Sequence, residues 1–140
     1  DIFAKNIFKG NVILFYGEIG VGKTTFIKFL VNSLEKIDKK NISEITSPTF
    51  SLMNQYKLNK FDIHHYDLYR LKSEKDILSL NIFEDISDKI VLIEWPEILG
   101  EHKPRNTIDI NFEYGENFNS RYLTISAYEK LKIFDEFKSL

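Results

Sequence analysis

Residues Gly17 to Thr24 read GEIGVGKT, a fit without mismatch to the phosphate-loop pattern G-x-x-x-x-G-K-S/T. Each conserved type in that pattern has a physical task. Gly17, Gly20 and Gly22 let the backbone turn tightly, so that its N–H groups can close around phosphate oxygens. Glu18, Ile19 and Val21 fill the variable positions of the cradle and Thr25 follows it, making Gly17–Thr25 the candidate nucleotide-binding run. Lys23 is expected to reach the β and γ phosphates as a mobile point charge, and the Thr24 hydroxyl to ligate Mg²⁺. With glycine at about 7% of residues, a chance match in a chain of this length is roughly one in two hundred. A glycine-rich turn that binds nothing would leave Lys23-Thr24 without a purpose.

The elements around the loop supply its required context. The apolar run Val12–Tyr16 precedes it as a strand, and a helix is expected from Lys23 to about Ile37. Phe26, Ile27, Leu30, Val31 and Leu34 recur there at helical spacing. The helix start would aim its positive dipole end at the bound anion. Phe50–Leu58 and Phe61–Tyr69 read as two strands joined by a turn at Asn59-Lys60, a hairpin insertion. Ser73 caps a short helix containing Leu78 and Leu80, and Ile90–Ile93 has the unbroken apolar character of a buried parallel strand. Thr107–Glu113 and Arg121–Ala127 are two further strands around a turn at Gly115, and Tyr128–Phe137 suits a terminal helix. The alternation predicts an α/β three-layer domain with a mainly parallel central sheet, whose ligand sits at the carboxyl ends of the strands.

Phosphoryl chemistry also needs an acid near the metal. Glu94 is the first candidate, since it ends the run Ile90–Ile93 and should emerge at the sheet edge that carries the loop. Asp67, at the end of the run Ile63–Tyr66, is the second. One acid would hold metal or its water and the other would orient the attacking water. His64 and His65 are adjacent on a strand and so point to opposite faces, which leaves at most one for the site. A packed or pocket-lining role is expected for either. Arg70 is a candidate to neutralise phosphate charge, with a surface ion pair as the plain alternative. Trp95 would stack on a base, anchor a partner or simply pack. Asn59-Lys60-Phe61-Asp62 matches the N-K-x-D pattern that reads guanine, yet it falls where a hairpin turn belongs and no D-x-x-G comes before it. ATP is therefore favoured over GTP.

Composition limits the remaining classes. The 140 residues, 43% hydrophobic and 14% aromatic, are enough for a single domain with a real core. With 19 basic against 21 acidic residues there is no basic groove, so strong direct nucleic-acid binding is not expected. Zero cysteines exclude disulfides and thiolate metal sites and suit a cytoplasmic protein. No apolar run is long enough for a membrane span. The chain opens at Asp1 close to the first strand, as if a few native residues preceded it.

Four segments in order, GEIGVGKTT (17–25), SPTF (47–50), HYDLYRL (65–71) and IEWPE (93–97), resemble one family. That family is TsaE (also called YjeE), the small bacterial ATPases of tRNA N6-threonylcarbamoyladenosine synthesis. The resemblance spans residues 11 to about 127. It departs mildly at Glu18, Ile19 and Val21, where the family commonly has aspartate, leucine and alanine. It implies phosphate and Mg²⁺ roles for Lys23 and Thr24, and a switch-like role for Thr49 near the γ-phosphate. It makes Asp67 and Glu94 the catalytic and metal-associated acids and Trp95 a sensitive neighbour. It also implies an accessory Mg²⁺-dependent ATPase, weak alone, that acts with the TsaD and TsaB proteins and meets tRNA only through them. A small-molecule or nucleoside kinase, and a nucleotide-gated binding module without catalysis, are the competing readings.

Overall fold

The unbroken apolar runs Val12–Phe15 and Ile90–Ile93 dictate strands buried on both faces, and that is the arrangement found. The computed structural model describes residues 1–127, so the helix expected over Tyr128–Phe137 lies outside the described residues. Six strands, β1 (Val12–Tyr16), β2 (Met53–Lys57), β3 (Asp62–Asp67), β4 (Lys89–Glu94), β5 (Thr107–Tyr114) and β6 (Arg121–Ala127), form one sheet in the order β2-β3-β4-β1-β5-β6. The four inner strands are parallel, and β2 and β6 pair antiparallel at the edges. The predicted α/β class, the mainly parallel sheet and the hairpin of β2 and β3 are all observed.

Period-two alternation sends the side chains of each strand to two separate cores. On one face Ile13, Phe15, Ile63, Ile90, Leu92, Ile108 and Ile110 pack under α2 (Lys23–Ile37) and under α1 (Ile2–Lys5), a short helix the sequence pattern did not reveal. Phe3 of α1 meets Phe26 of α2 edge-on at 5.8 Å. On the other face Val12, Leu14, Tyr66, Val91 and Ile93 pack against Ile77 of α3 (Glu74–Ser79) and Leu99 of the 3-10 segment Pro96–His102. Helix α2 buries Ile27, Leu30, Val31 and Leu34 as its spacing predicts. In α3 the Ser73 cap accepts from the Asp76 amide at 3.3 Å. There Ile77 is the buried residue, while Leu78 stays exposed.

Two boundaries differ from expectation, and both shape the site. The strand expected from Phe50 begins only at Met53. The Leu52 amide instead donates to the Pro48 carbonyl at 2.7 Å, and Leu52 adopts a left-handed φ of 67°. Residues 48–52 thus form a turn. The next strand ends at Asp67, not Tyr69, because the Asp67 carboxylate accepts the Tyr69 amide at 3.0 Å and turns the chain out of the sheet. Asn59-Lys60 forms the hairpin turn, closed by Leu58 N–H donating to the Phe61 carbonyl at 3.0 Å.

Candidate phosphate and metal site

Strand order creates the crevice. From β1 the chain crosses under α2 to the β3 side, whereas from β4 it crosses the opposite face to β5 on the other side of β1. The connections leaving these neighbouring strands therefore diverge at their carboxyl ends, which opens the space where ligands bind in such sheets. The glycine loop occupies it. Gly17 has φ 144°, and a Cβ there would lie 2.8 Å from the Phe112 carbonyl oxygen, so only glycine lets the loop leave β1 this close to β5. Gly22, at φ 115°, precedes α2, and no side chain caps the helix. Its first turn is thus left to an incoming anion.

One register row explains how the acids arrive there. Asp67, Glu94, Phe15 and Ile110 lie side by side across β3, β4, β1 and β5 on the face beneath α2, and His65, Leu92, Ile13 and Ile108 form the row below. The apolar stripe of this face thus turns acidic on two strands where it reaches the N-terminus of α2. Glu94 and Asp67 are 2% and 5% exposed, so each needs partners. Glu94 Oε1 accepts the Thr24 hydroxyl at 2.7 Å, and Oε2 meets His65 Nε2 at 2.7 Å. Asp67 Oδ2 accepts the Thr49 hydroxyl at 3.0 Å, and Thr49 Oγ1 lies 2.7 Å from Ser47 Oγ. The turn at 48–52 is therefore what carries Thr49 onto Asp67.

Lys23 is buried at 4% exposure. Its ammonium donates to the Gly17 carbonyl and lies 3.5 Å from the centre of the Trp95 ring. Burial lowers its pKa, while Glu94, Glu97 and Asp67 pull in the opposite direction. Trp95 holds a left-handed φ of 57° directly after Glu94, a strained setting for a bulky residue, and its ring also packs on Tyr69 at 4.8 Å.

These side chains surround a cavity of about 310 Å³, and Ile19, Gly20, Gly22, Thr25, Ser47 and Tyr69 complete its wall. Most sequence candidates converge on it: Lys23, Thr24, Thr25, Thr49, Asp67, Glu94 and Trp95. Glu18 and Val21 do not line it. The Val21 amide donates to the Glu18 carbonyl at 3.3 Å within the loop, the Val21 side chain is buried against the position of Gly17, and Glu18 is exposed. Gly17 likewise sits behind the lining, as the pivot of the loop. Arg70 is exposed, with its guanidinium 5.1 Å from the Phe50 ring. His64 takes the opposite face, so of the two histidines only His65 faces the acids. The His65–Glu94 contact and the Lys23–Trp95 stack went unread in the sequence. For His65, its two-residue spacing from Asp67 on a strand was the available signal.

Thr24, Glu94 and Asp67 offer hard oxygen donors, the type that suits Mg²⁺ and other hard divalent cations. Among the described residues no cluster of three or more His, Asp or Glu could cage a metal alone. Magnesium in phosphoryl-transfer sites takes one or two protein ligands and completes its shell with phosphates and water, so the donor set fits.

A glycine loop between a central parallel strand and a helix start, with an acid of the next strand bonded to the threonine after its lysine, defines a phosphate-loop α/β domain. Comparison with known proteins narrows this further. The family "Threonylcarbamoyl adenosine biosynthesis protein TsaE" matches residues 1–123. The chain is 36% identical over 124 residues to the tRNA threonylcarbamoyladenosine biosynthesis protein TsaE of Rickettsia prowazekii, covering 89% of this chain and 83% of that one. It is also 36% identical over 133 residues to the protein of that name from a Nostoc species, covering 91% and 76%. The chain belongs to the TsaE family. In architecture it is similar to the crystal structure of Bacillus subtilis YdiB, with a TM-score of 0.67 and 22% identity over 99% of this chain and 83% of that one. Among the described residues no helix is long and apolar enough to cross a membrane.

Proposed function

We propose that the protein binds Mg²⁺-ATP in this cavity and hydrolyses it as an accessory ATPase of tRNA N6-threonylcarbamoyladenosine (position 37) synthesis, working with the TsaD–TsaB pair to support turnover. Family membership carries the pathway. The observation that carries the chemistry is the 2.7 Å bond between Thr24 and Glu94, which joins a phosphate-loop hydroxyl to a strand-end acid.

Each side chain then has a task. Thr24 and Glu94 would hold magnesium, which when bound supplies charge neutralisation at the transferred phosphoryl group. The α2 N-terminus and the Lys23 ammonium would take the phosphates. Asp67, oriented by Thr49 and by the Tyr69 amide, is the acid free to position the attacking water. Thr49 sits on the turn that leads from α2 into β2, where bound nucleotide can order it. Gly20, Gly22 and Thr25 also border a second cleft of about 640 Å³, with Phe26 and Phe112 in its wall and the exposed Phe118 at its rim. That cleft would lodge the nucleoside, with a ring to stack on the base.

Lys23 is the single cation among the described residues lining the phosphate cavity, and Arg70 lies outside it. This supports slow hydrolysis alone and completion of the site by a partner, since a supplied arginine commonly stabilises such transition states. The deciding experiment measures phosphate release from Mg²⁺-ATP with and without the TsaD–TsaB pair, using Lys23→Ala as the blank. Stimulation lost in that variant is expected. No stimulation together with no complex would remove the partner assignment, and a phosphorylated small-molecule product would point to a kinase.

A further inference from the structure

His65 is fully buried in β3, one row beneath the two acids, where the neighbouring strands place Leu92, Ile13 and Ile108. An imidazole in that row adds nothing to packing that leucine would not, and it brings two nitrogens that need partners. Nε2 has one, Glu94 Oε2 at 2.7 Å, while Nδ1 is buried with none. These contacts decide the tautomer. A proton on Nδ1 would bury an unsatisfied donor and set the Nε2 lone pair against a carboxylate oxygen. A proton on Nε2 satisfies both partners and leaves only an acceptor lone pair bare. Glu94 has three side-chain torsions, so Thr24 on Oε1 alone would leave the carboxylate free to rotate. A second clamp on Oε2, set in the rigid middle of the sheet, removes that freedom.

From this we infer that His65 is a positioning residue of the nucleotide site: by donating from Nε2 to Glu94 Oε2, it holds Oε1 at Thr24, in the attitude needed to receive magnesium. The role given to Glu94 rests on the ATPase reading, whereas the His65–Glu94 bond stands on geometry alone. Partners that orient a metal-binding carboxylate in this way typically change metal affinity or activity 10- to 100-fold when lost.

The test compares His65→Leu, His65→Gln, Glu94→Gln and the Leu/Gln double variant in the full chain. A fluorescent ADP analogue is titrated at varied Mg²⁺ and in EDTA, and the ¹⁵N imidazole spectrum of the wild type is recorded without nucleotide. His65→Leu should raise the Mg²⁺ concentration for half-maximal tightening by about 10- to 100-fold, with affinity in EDTA changed less than about threefold. His65→Gln, which returns an N–H donor near Nε2, should recover most of the loss. The double variant should be no worse than Glu94→Gln, because the two residues act as one unit. The spectrum should show the proton on Nε2. A wild-type Mg²⁺ midpoint in His65→Leu, equal losses in folded Leu and Gln variants, multiplying losses in the double variant, or a proton on Nδ1 would each overturn the inference. A purely structural role would lower the melting temperature and the EDTA affinity together, without a selective effect on Mg²⁺. If the wild type binds no nucleotide, the ATPase reading fails, and the imidazole spectrum still decides the bond.

Discussion

Strands β3 and β4 each present two faces, yet only the one beneath α2 ends in buried carboxylates. Beneath α2, β4 reads Ile90, Leu92, Glu94 and β3 reads Ile63, His65, Asp67; on the far face β4 continues Val91, Ile93 into the packed core. Burying two neighbouring acids and a lysine weakens a fold, since each charge loses solvation that apolar packing would not require. The far face is sealed by Leu68 and Leu99 at 1% exposure each. The difference teaches that the acids cost stability where they stand, which is what the proposed ligand chemistry requires of them. Function and folding are therefore separable here by substitution.

The sharpest way to break that separation is Lys23→Ala against Leu14→Ala. Removing the buried ammonium should lower ATP turnover by at least about a hundredfold, the usual loss for one charge-stabilising group, with little change in the melting temperature. Leu14 is fully buried on the far face. Its truncation should cost about 2–5 kcal/mol, visible in a denaturant titration, with turnover per folded molecule intact. A Leu14→Ala protein that stays folded but inactive would show that the two faces are coupled. Glu94→Gln sharpens the same contrast. Turnover should fall by roughly a hundredfold while ADP still binds in EDTA. A smaller effect is expected at the second cleft. Phe118 is 80% exposed and its ring meets Tyr114 edge-on at 5.4 Å, so it contributes little to the core. Phe118→Ala should weaken nucleotide binding by about 1–3 kcal/mol, read as a raised KM at constant kcat. An unchanged KM would place the base elsewhere.

How far the sequence foretold all this depends on the range of the interaction. The phosphate loop was legible because glycine, lysine and threonine at fixed spacing act within one turn of chain. Helix α2 was legible because five apolar residues repeat at its period. Glu94 and Asp67 were legible as the acids that end apolar strand runs. Thr49 was available only through the family resemblance: β-propensity read 50–52 as strand, and the capture of the Leu52 amide by the Pro48 carbonyl overrode it. His65 illustrates the other limit. Its partner lies 29 residues away on the adjacent strand, and register, not pattern, brings them to 2.7 Å. The stack of Lys23 on Trp95 is of the same kind, since it depends on a left-handed residue that no local rule announces.

The smallest expected effect lies with the other histidine. His64 points to the far face beside Tyr66, its Nδ1 is buried without a partner, and burial lowers its pKa, with Lys89 adding to the shift and Asp62 opposing it. An unfolded histidine titrates near 6.5, so on acidification the unfolded chain takes up this proton before the folded one does. Stability from this group is thus complete above about pH 6.5 and declines as pH falls toward the lowered folded value. Replacing it should flatten that part of the curve. Melting temperature measured from pH 7.5 down to 5.5 should fall less in His64→Leu than in the wild type, with turnover at pH 7.5 unchanged because the residue faces away from the acids. Identical slopes would mean that the folded protein protonates His64 as easily as the unfolded chain. A loss of turnover would mean instead that the far face reaches the site through β3, and the separation of the two faces would fail at that strand.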